Sequence, residues 1–207
     1  MADESADRKL LDLLVDYCAV HPSDDSNRFL EKLRNAGDVW QPRESQTLAA
    51  TETLGKVAGL AHPLAKPLVD GFVGQKGRLH WEQSYRKSHG LVGDDMLAGY
   101  GFVEILGKHG PFVSETVRCG IGVWGPNINY PIHQHAAEEI YVVAAGRAVF
   151  TVGDAVDIEK HSGEAVYVES NTQHGLRTED DPLVVFYAWQ AGDMRELSRF
   201  QHIGPSK

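Results

Sequence analysis

Three potential metal ligands stand close together in the segment Tyr130–Tyr141. If this segment is a strand, alternate side chains share one face, so His133, His135 and Glu139 point to the same side. Glu138 then points to the opposite side. Two imidazoles and a carboxylate on one face suit a divalent transition metal. The segment therefore predicts one wall of a metal site.

A further ligand is predicted later in the chain. The apolar run Ala165–Val168 is followed by a polar turn and then by His174. This pattern is typical of a strand, a turn and a returning strand. From the returning strand, His174 could reach the same wall and supply the last protein ligand. Such a site would keep open positions for water or substrate, as catalytic metal sites require.

These residues resemble the two motifs of the cupin superfamily. The first motif is matched by Gly125, His133, His135, Glu139 and Gly146, although the spacer after Gly125 has seven residues instead of the usual five. The second motif is matched at its ends by Gly163 and His174. Its middle departs from the family, with Glu169, Asn171 and Thr178 in place of Pro, Gly and Asn. The resemblance implies a mainly β fold, the cupin double-stranded β-helix or jelly-roll barrel, with a bound metal.

A narrower resemblance is carried by Asn129–His135 together with Glu139–Tyr141, after a helical N-terminal half and before Tyr187–Trp189. This combination is similar to the cupin-type dimethylsulfoniopropionate lyases of marine bacteria. In that family a metal-bound cupin cleaves a small zwitterionic sulfonium carboxylate to dimethyl sulfide and acrylate, with a tyrosine near the metal as the proposed base. The resemblance thus implies a carbon–sulfur lyase that works by β-elimination.

The same resemblance assigns roles to single residues. The implied metal ligands are His135, Glu139 and His174, with His133 either a ligand or a neighbour of the metal. The candidate bases are Tyr141 and Tyr130. Tyr141 lies two residues from Glu139, and a nearby cation lowers the pKa of a phenol toward useful basicity. Imidazole and carboxylate ligands accept one divalent transition metal among Zn, Fe(II), Mn, Co and Ni, so its identity stays open.

Aromatic side chains are the expected contacts of the sulfonium end, because this cation carries no hydrogen-bond donors. Trp124 stands just before the ligand-bearing loop, and Tyr187 and Trp189 share one parity in an apolar run. Trp81 is the remaining candidate. We expect one or two of these four rings to line the substrate pocket and the others to belong to the core.

Two other functions fit the same residues, since one fold hosts many activities. The first is another metal-dependent cupin enzyme, either a dioxygenase, whose turnover would require oxygen, or a sugar isomerase, whose pocket would hold more lysines and arginines. The second is a non-catalytic ligand-binding cupin, which would leave its ligand unchanged.

Charge and composition disfavour several other classes of partner. The chain has 207 residues and a formal net charge of -9, which argues against nucleic acid or an anionic membrane as a partner. No apolar stretch approaches the ~20 residues of a membrane span, and the first residues are too polar for a secretory signal, so a cytoplasmic protein is expected. Cys18 and Cys119 form no C-x-x-C pair, which predicts neither a disulfide framework nor a thiolate zinc site.

The elements that must position these residues fall into two parts. We expect residues 1–77 to be a helical segment packed on the barrel and residues 78–207 to be the barrel with its metal site. Helical spacing of apolar residues predicts helices at Lys9–Ala19, Ser26–Ala36 and Glu44–Leu60, and a shorter one running to about Phe72. Short apolar runs predict strands at Leu79–Tyr85, Tyr100–Leu106, Val113–Trp124, Ile132–Val143, Ala148–Val152, Ala165–Val168 and Leu183–Trp189. The outward residues Ile140 and Val142 need a cover, either these helices or a second subunit, so a homodimer is compatible with the pattern.

Overall fold

A computed structural model describes residues 2–194 and 198–200. The helices are α1 (Glu4–Val20), α2 (Asp24–Arg34), α3 (Thr51–Val57), α4 (Lys66–Gln75) and α5 (Asp94–Gly99), with 3-10 turns at Ala58–Leu60, Lys76–Arg78 and Lys87–His89. The strands are β1 (Trp81–Glu82), β2 (Tyr100–Leu106), β3 (Val117–Trp124), β4 (Asn129–Gln134), β5 (Glu138–Val152), β6 (Ala155–His161), β7 (Ala165–Val168), β8 (His174–Arg177), β9 (Leu183–Gln190) and β10 (Arg199–Phe200).

The first two helices follow from their caps and apolar spacing. The side chain of Asp3 accepts a hydrogen bond from the backbone N–H of Ala6 and begins α1, and Ser23 does the same for α2 through Asp25. Both helices confirm the sequence prediction. The predicted helix Glu44–Leu60 is wrong in its first part, because residues 44–50 are extended or turned and α3 begins only at Thr51.

Antiparallel pairing arranges the strands in two sheets. The first sheet has the order β1-β2-β3-β9-β5-β7, and the second has the order β10-β4-β8-β5-β6. The long strand β5 belongs to both sheets, since its first half pairs with β9 and its second half pairs with β8. A register shift between Val143 and Ala145 marks the change. This is the predicted cupin double-stranded β-helix with an α-helical N-terminal part.

The predicted continuous strand Ile132–Val143 is wrong. β4 ends at Gln134 and β5 begins at Glu138, so His135 lies in the turn between them. The reason is that β4 belongs to the second sheet and the start of β5 to the first, so the chain must cross between sheets at this point. Strand parity therefore holds for Glu138 and Glu139 but does not explain the position of His135.

The outer face of the first sheet is covered by the helices of the same chain. Ile140 and Val142 have no exposed surface and share one hydrophobic core with Leu10 and Leu14 of α1 and Phe72 of α4. This core supplies the cover that the sequence requires, without a second subunit. A second cluster, rich in aromatic residues, lies between the two sheets and surrounds the cavity described next.

No helix within residues 2–194 combines the length and apolarity that a membrane crossing requires.

Candidate active site

Three histidines from different segments converge inside the barrel. His133 lies on β4, His135 in the following turn and His174 at the start of β8, and the register pairs His133 with His174. Their potential ligand atoms all lie within 4.8 Å of one another. Each residue has an exposed fraction of 2% or less. The chain thus brings the three predicted imidazoles together in a buried cluster.

Backbone carbonyls fix the tautomer of all three imidazoles. The Nδ1 atoms of His133, His135 and His174 each lie 2.9 Å from a carbonyl oxygen, of Pro131, Ala137 and Thr172 respectively. A carbonyl only accepts hydrogen bonds, so each Nδ1 carries the proton. The three Nε2 atoms are then left as lone-pair donors, the form in which histidine binds a metal.

Glu139 completes the donor set. Its Oε2 atom lies 3.0 Å from Nε2 of His135 and 3.3 Å from Nε2 of His174. Burial alone would raise the pKa of Glu139, but hydrogen bonds and positive charge from the two imidazoles, when these carry a second proton, lower this pKa well below its usual range.

The donor set fits a divalent transition metal. With Nδ1 protonated, Nε2 lone pairs face the Glu139 carboxylate, and such a contact is favourable only with a cation or an added proton between the atoms. Nε2 of His174 is buried and has no hydrogen-bond partner within the described chain. Three imidazole nitrogens and one carboxylate oxygen are ligands that Zn, Fe(II), Mn, Co and Ni accept.

A cavity of about 740 Å³ opens next to His133 and Glu139. Eight aromatic rings line it, those of Tyr85, Tyr100, Phe102, Trp124, Tyr130, Tyr141, Tyr187 and Trp189. Charged side chains line it as well, among them Glu82, Arg86, Lys108 and Arg118. A cleft of this size with converging polar groups is the usual form of a small-molecule site.

Tyr100, Trp124 and Tyr130 form a cluster that we call the aromatic box. The ring of Tyr100 lies 5.1 Å from Trp124 and 5.0 Å from Tyr130, and Trp124 lies 5.6 Å from Tyr130. The edge of the box reaches the metal ligands, because the Tyr130 ring lies 4.8 Å from that of His133. The sequence pattern predicts Trp124 and Tyr130 at the site but misses Tyr100. Tyr100 was predicted to begin a strand, but its pairing with Trp124 on the neighbouring strand could not be predicted.

The two candidate bases both line the cavity. Tyr141 lines the cavity together with Glu139, and burial followed by the negative charge of Glu139 raises the pKa of Tyr141 well above its usual value. The hydroxyl oxygen of Tyr130 lies 3.3 Å from that of Tyr85 and 3.5 Å from that of Tyr100. Burial raises the pKa of Tyr130 as well.

Trp81 corrects the sequence prediction. Its side chain has no exposed surface, belongs to the core between the helices and the first sheet, and donates from Nε1 to the carbonyl of Lys76 at 2.9 Å. Its neighbour Glu82 lines the cavity. The strand alternation at β1 therefore points Trp81 away from the site, and it is not a substrate contact.

Tyr187 and Trp189 line the cavity as expected, but their neighbours are polar. Trp189 stacks on the imidazole of His135 with ring centres 3.8 Å apart. Cζ of Arg118 lies 4.8 Å from the centre of the same indole. Arg118 also lines the cavity and was not a candidate from the sequence, because a lone arginine on a predicted strand gives no distinctive signal.

Comparisons with known proteins match this chain to one family of lyases. The family model described as dimethylsulfoniopropionate lyase matches residues 24–185. The chain is 30% identical over 125 residues to the dimethylsulfoniopropionate lyase DddQ of Ruegeria pomeroyi, which covers 60% of this chain. It is 31% identical over 144 residues to the putative lyase DddL of Cereibacter sphaeroides, which covers 68% of this chain. These matches span 61% and 55% of the length of the two relatives.

Solved structures give the same grouping. A crystal structure from work on the DMSP lyases RdDddP and RnDddQII superposes with a TM-score of 0.81 at 27% identity and covers 96% of this chain and 98% of that one. The crystal structure of DddQ from Ruegeria pomeroyi has a TM-score of 0.77 at 23% identity, covers 97% and 98% of the two chains, and supports the fold.

Proposed function

Because the chain belongs to the dimethylsulfoniopropionate lyase family, we propose that it cleaves dimethylsulfoniopropionate to dimethyl sulfide and acrylate in the cavity beside the histidine cluster. The observation that supports this proposal is the cluster of three buried histidines that could hold a metal, with Glu139 against two of them and the ring of Tyr141 6.2 Å from that of His174. His133, Glu139 and Tyr141 line a cavity whose aromatic rings suit a sulfonium.

The proposed metal ligands are His133, His135, Glu139 and His174. His133 is included because its Nδ1 proton is held by a carbonyl in the same way as those of the other two histidines. When bound, a divalent metal supplies a Lewis acid for the substrate carboxylate and a positive charge that opposes the effect of Glu139 on the pKa of Tyr141.

The proposed reaction is a β-elimination with Tyr141 as the base. The phenolate of Tyr141 takes a proton from the carbon next to the carboxylate, and that C–H electron pair forms the double bond of acrylate. The C–S bond breaks at the same time, and its electron pair leaves on sulfur as dimethyl sulfide. The proton then returns from Tyr141 to solvent. Tyr130 is the second candidate for this role, since it also lines the cavity.

The aromatic box is the proposed contact of the sulfonium, with Trp124 as the member that the sequence identifies. The three rings pack against one another and all line the cavity, and a ring face that contacts a soft cation contributes roughly 0.5–2 kcal/mol.

The experiment that tests the proposal is headspace detection of dimethyl sulfide from purified protein given dimethylsulfoniopropionate. The protein is loaded separately with Zn, Fe(II), Mn, Co and Ni, and acrylate is measured in solution. Equal amounts of the two products, lost on chelation, are expected. Turnover without oxygen separates this reaction from that of a dioxygenase. Absence of dimethyl sulfide with every metal contradicts the proposal.

A further inference from the structure

Two hydrogen-bond donors lie unsatisfied in one wall of the cavity. The hydroxyl of Tyr187 and the indole Nε1 of Trp189 are buried and have no partner among residues 2–194 and 198–200. The two residues are two positions apart on β9, so they share the inner face of the strand. Buried donors in folded proteins are normally paired, and both of these border the cavity. A hydrogen-bond acceptor bound in the cavity would therefore satisfy both donors.

A positive charge is held beside these donors. Arg118 on β3 is directly opposite Trp189 in the strand register, with its guanidinium over the indole. Its Nε and Nη2 atoms both lie 2.6 Å from Oε2 of Glu104, a side chain that is almost fully buried. The other oxygen of Glu104 accepts from the backbone N–H groups of His109 and Gly110.

This arrangement fixes the guanidinium and leaves one of its edges available. Glu104 uses both oxygens and orients Arg118 through Nε and Nη2, while no acceptor for Nη1 is found in the described part of the chain. A guanidinium presents its donors in a planar fork, which matches the two oxygens of a carboxylate. The side chain of Arg118 is 15% exposed and lines the cavity, so hydrogen bonds made there are only weakly opposed by solvent.

We infer that Arg118, Tyr187 and Trp189 form a carboxylate-binding site in the wall of the cavity. The ligand class follows from the chemistry, because three sets of N–H and O–H donors require a ligand with several acceptors, and a carboxylate supplies them on two oxygens. A sulfonium has no acceptor for these donors, so we assign Tyr187 and Trp189 to the carboxylate; their contact with the cation is the alternative that the test below distinguishes.

The site sets the orientation of a zwitterion, and this part of the inference rests on the proposed function. Trp189 stacks on His135 and is paired across the sheet with Glu139, so the carboxylate site borders the metal ligands. Arg118 lies near the start of β3 and Trp124 of the aromatic box at its end. We therefore expect the substrate carboxylate on the side of Arg118 and its sulfonium on the side of the box.

Binding of two half-substrates tests the inference without turnover. Propionate carries the carboxylate alone and trimethylsulfonium carries the cation alone, and isothermal calorimetry gives a Kd for each with metal-loaded protein. Tyr187→Phe deletes one hydroxyl and keeps the ring, so we expect the Kd of propionate to rise about tenfold and that of trimethylsulfonium to stay unchanged. Trp124→Ala should give the opposite pattern.

Two further variants and one control complete the test. Arg118→Lys keeps the positive charge but loses the planar pair of donors, so it should also raise the Kd of propionate. If this variant fails to fold, Trp189→Phe tests the contribution of the indole N–H. The matched control is Tyr17→Phe, whose hydroxyl donates to the carbonyl of Val143 at 3.4 Å in the helix–sheet core. It should change neither constant.

Unchanged propionate affinity in folded Tyr187→Phe and Trp189→Phe would overturn the inference. It would also be overturned if these variants lost affinity for trimethylsulfonium instead of propionate. All variants are compared with wild type at equal metal content, so propionate bound by the metal cancels. Since neither probe can undergo elimination, the result is independent of whether the protein releases dimethyl sulfide.

Discussion

At the scale of single residues, the backbone orients the three histidines of the proposed metal site. The three carbonyls that hold the Nδ1 protons also fix the ring orientations, so the Nε2 atoms of His133, His135 and His174 need not be reoriented on binding. The residue types and their order in the sequence were enough to predict that these imidazoles lie together. The carbonyl partners could not be predicted, because they depend on the local turns around each histidine.

Replacement of a ligand should remove the metal and leave the fold intact. We expect His174→Ala to lose most of its bound metal, since the remaining three ligands leave a coordination position to water. Inductively coupled plasma mass spectrometry of the purified protein measures the metal content, and circular dichroism checks the fold. His161→Ala, at an exposed histidine, is the matched control. Full metal content in His174→Ala would rule out the proposed ligand set.

Removal of the proposed base should affect turnover more than binding. Tyr141→Phe keeps the ring but deletes the ionisable oxygen, so kcat should fall about 100-fold or more with little change in metal content. The wild-type rate should rise with pH through the pKa of this phenol, and the residual rate of the variant should lack that rise. Near-normal turnover by Tyr141→Phe would transfer the role to Tyr130, for which the same substitution is the next measurement.

Acid should destabilise the metal-free protein through His133. Burial, together with the charge of His174, lowers the pKa of His133 to about 3, whereas an unfolded histidine has a pKa near 6.5. Between these values the unfolded chain binds a proton that the folded chain does not. The free energy of unfolding should therefore fall as pH falls from 6.5 toward 3, by up to about 1.4 kcal/mol per pH unit.

Urea unfolding of chelator-treated protein at pH 7 and pH 5.5 measures this effect. His133→Asn should show a smaller loss over the same interval. Some loss should persist, because burial also lowers the pKa of His21. An identical pH dependence in wild type and His133→Asn would contradict the assignment.

At the scale of elements, the pairing between strands decides where strands begin and end when the apolar pattern of the sequence does not. Tyr100–Leu106 and Ala165–Val168 were predicted with the bounds that the structure gives them, since their apolar runs end at clear turn residues. The split of Ile132–Val143 into β4 and β5 was missed because a crossing between sheets leaves the apolar pattern unbroken. β6 was missed because its residues are largely exposed and carry no apolar run.

The aromatic box depends on a glycine in the middle of β3. A Cβ atom at Gly122 would lie 2.6 Å from both Cη2 and Cζ3 of Trp124, a ring that is buried against Tyr100 and Tyr130. We expect Gly122→Ala to lower the free energy of unfolding by about 1–3 kcal/mol and to weaken trimethylsulfonium binding, because the indole must move into the cavity.

The double variant Gly122→Ala/Trp124→Phe separates this clash from other effects. Phenylalanine lacks the two distal indole atoms, so it should recover most of the stability lost in Gly122→Ala. Thermal and urea unfolding provide the measurement. Gly74→Ala in α4 is the control, since no atom of the described chain lies within 4 Å of the added carbon there. The same loss of stability in single and double variants would show that Trp124 is not the cause.

At the scale of the whole molecule, the helices and the barrel share one core. The outer residues of β5 and β9, among them Ile140, Val142 and Phe186, are fully buried beneath α1 and α4. A division into a helical part and a barrel part near residue 77 is predicted from the change in apolar spacing and stays a prediction. The extent to which each part depends on the other cannot be predicted from the sequence, because it is decided by contacts between distant segments.

We propose that residues 78–207 do not form a stable barrel alone. Without the helical segment, the apolar face of the first sheet is exposed to water, at a cost of roughly 25 cal/mol per Å². The isolated segment should aggregate or lack a cooperative thermal transition. Co-expression with residues 1–77 as a separate chain should restore a monodisperse protein that unfolds cooperatively. Size-exclusion chromatography and calorimetry decide the matter. A monomeric 78–207 segment that melts cooperatively at the full-length temperature would contradict the proposal.

The position of β9 between β3 and β5 also has a consequence for biosynthesis. Both neighbours leave the ribosome before β9, yet neither pairs with the other, so the first sheet cannot close until Gln190 has been synthesised. Because synthesis proceeds at about 5–20 residues per second, the segments that carry His133 and His135 are present for seconds before β9 is synthesised. Capture of a metal in the closed cavity is then a post-translational event. Its outcome depends on the ions that a finished chain meets, and not on those near the nascent one.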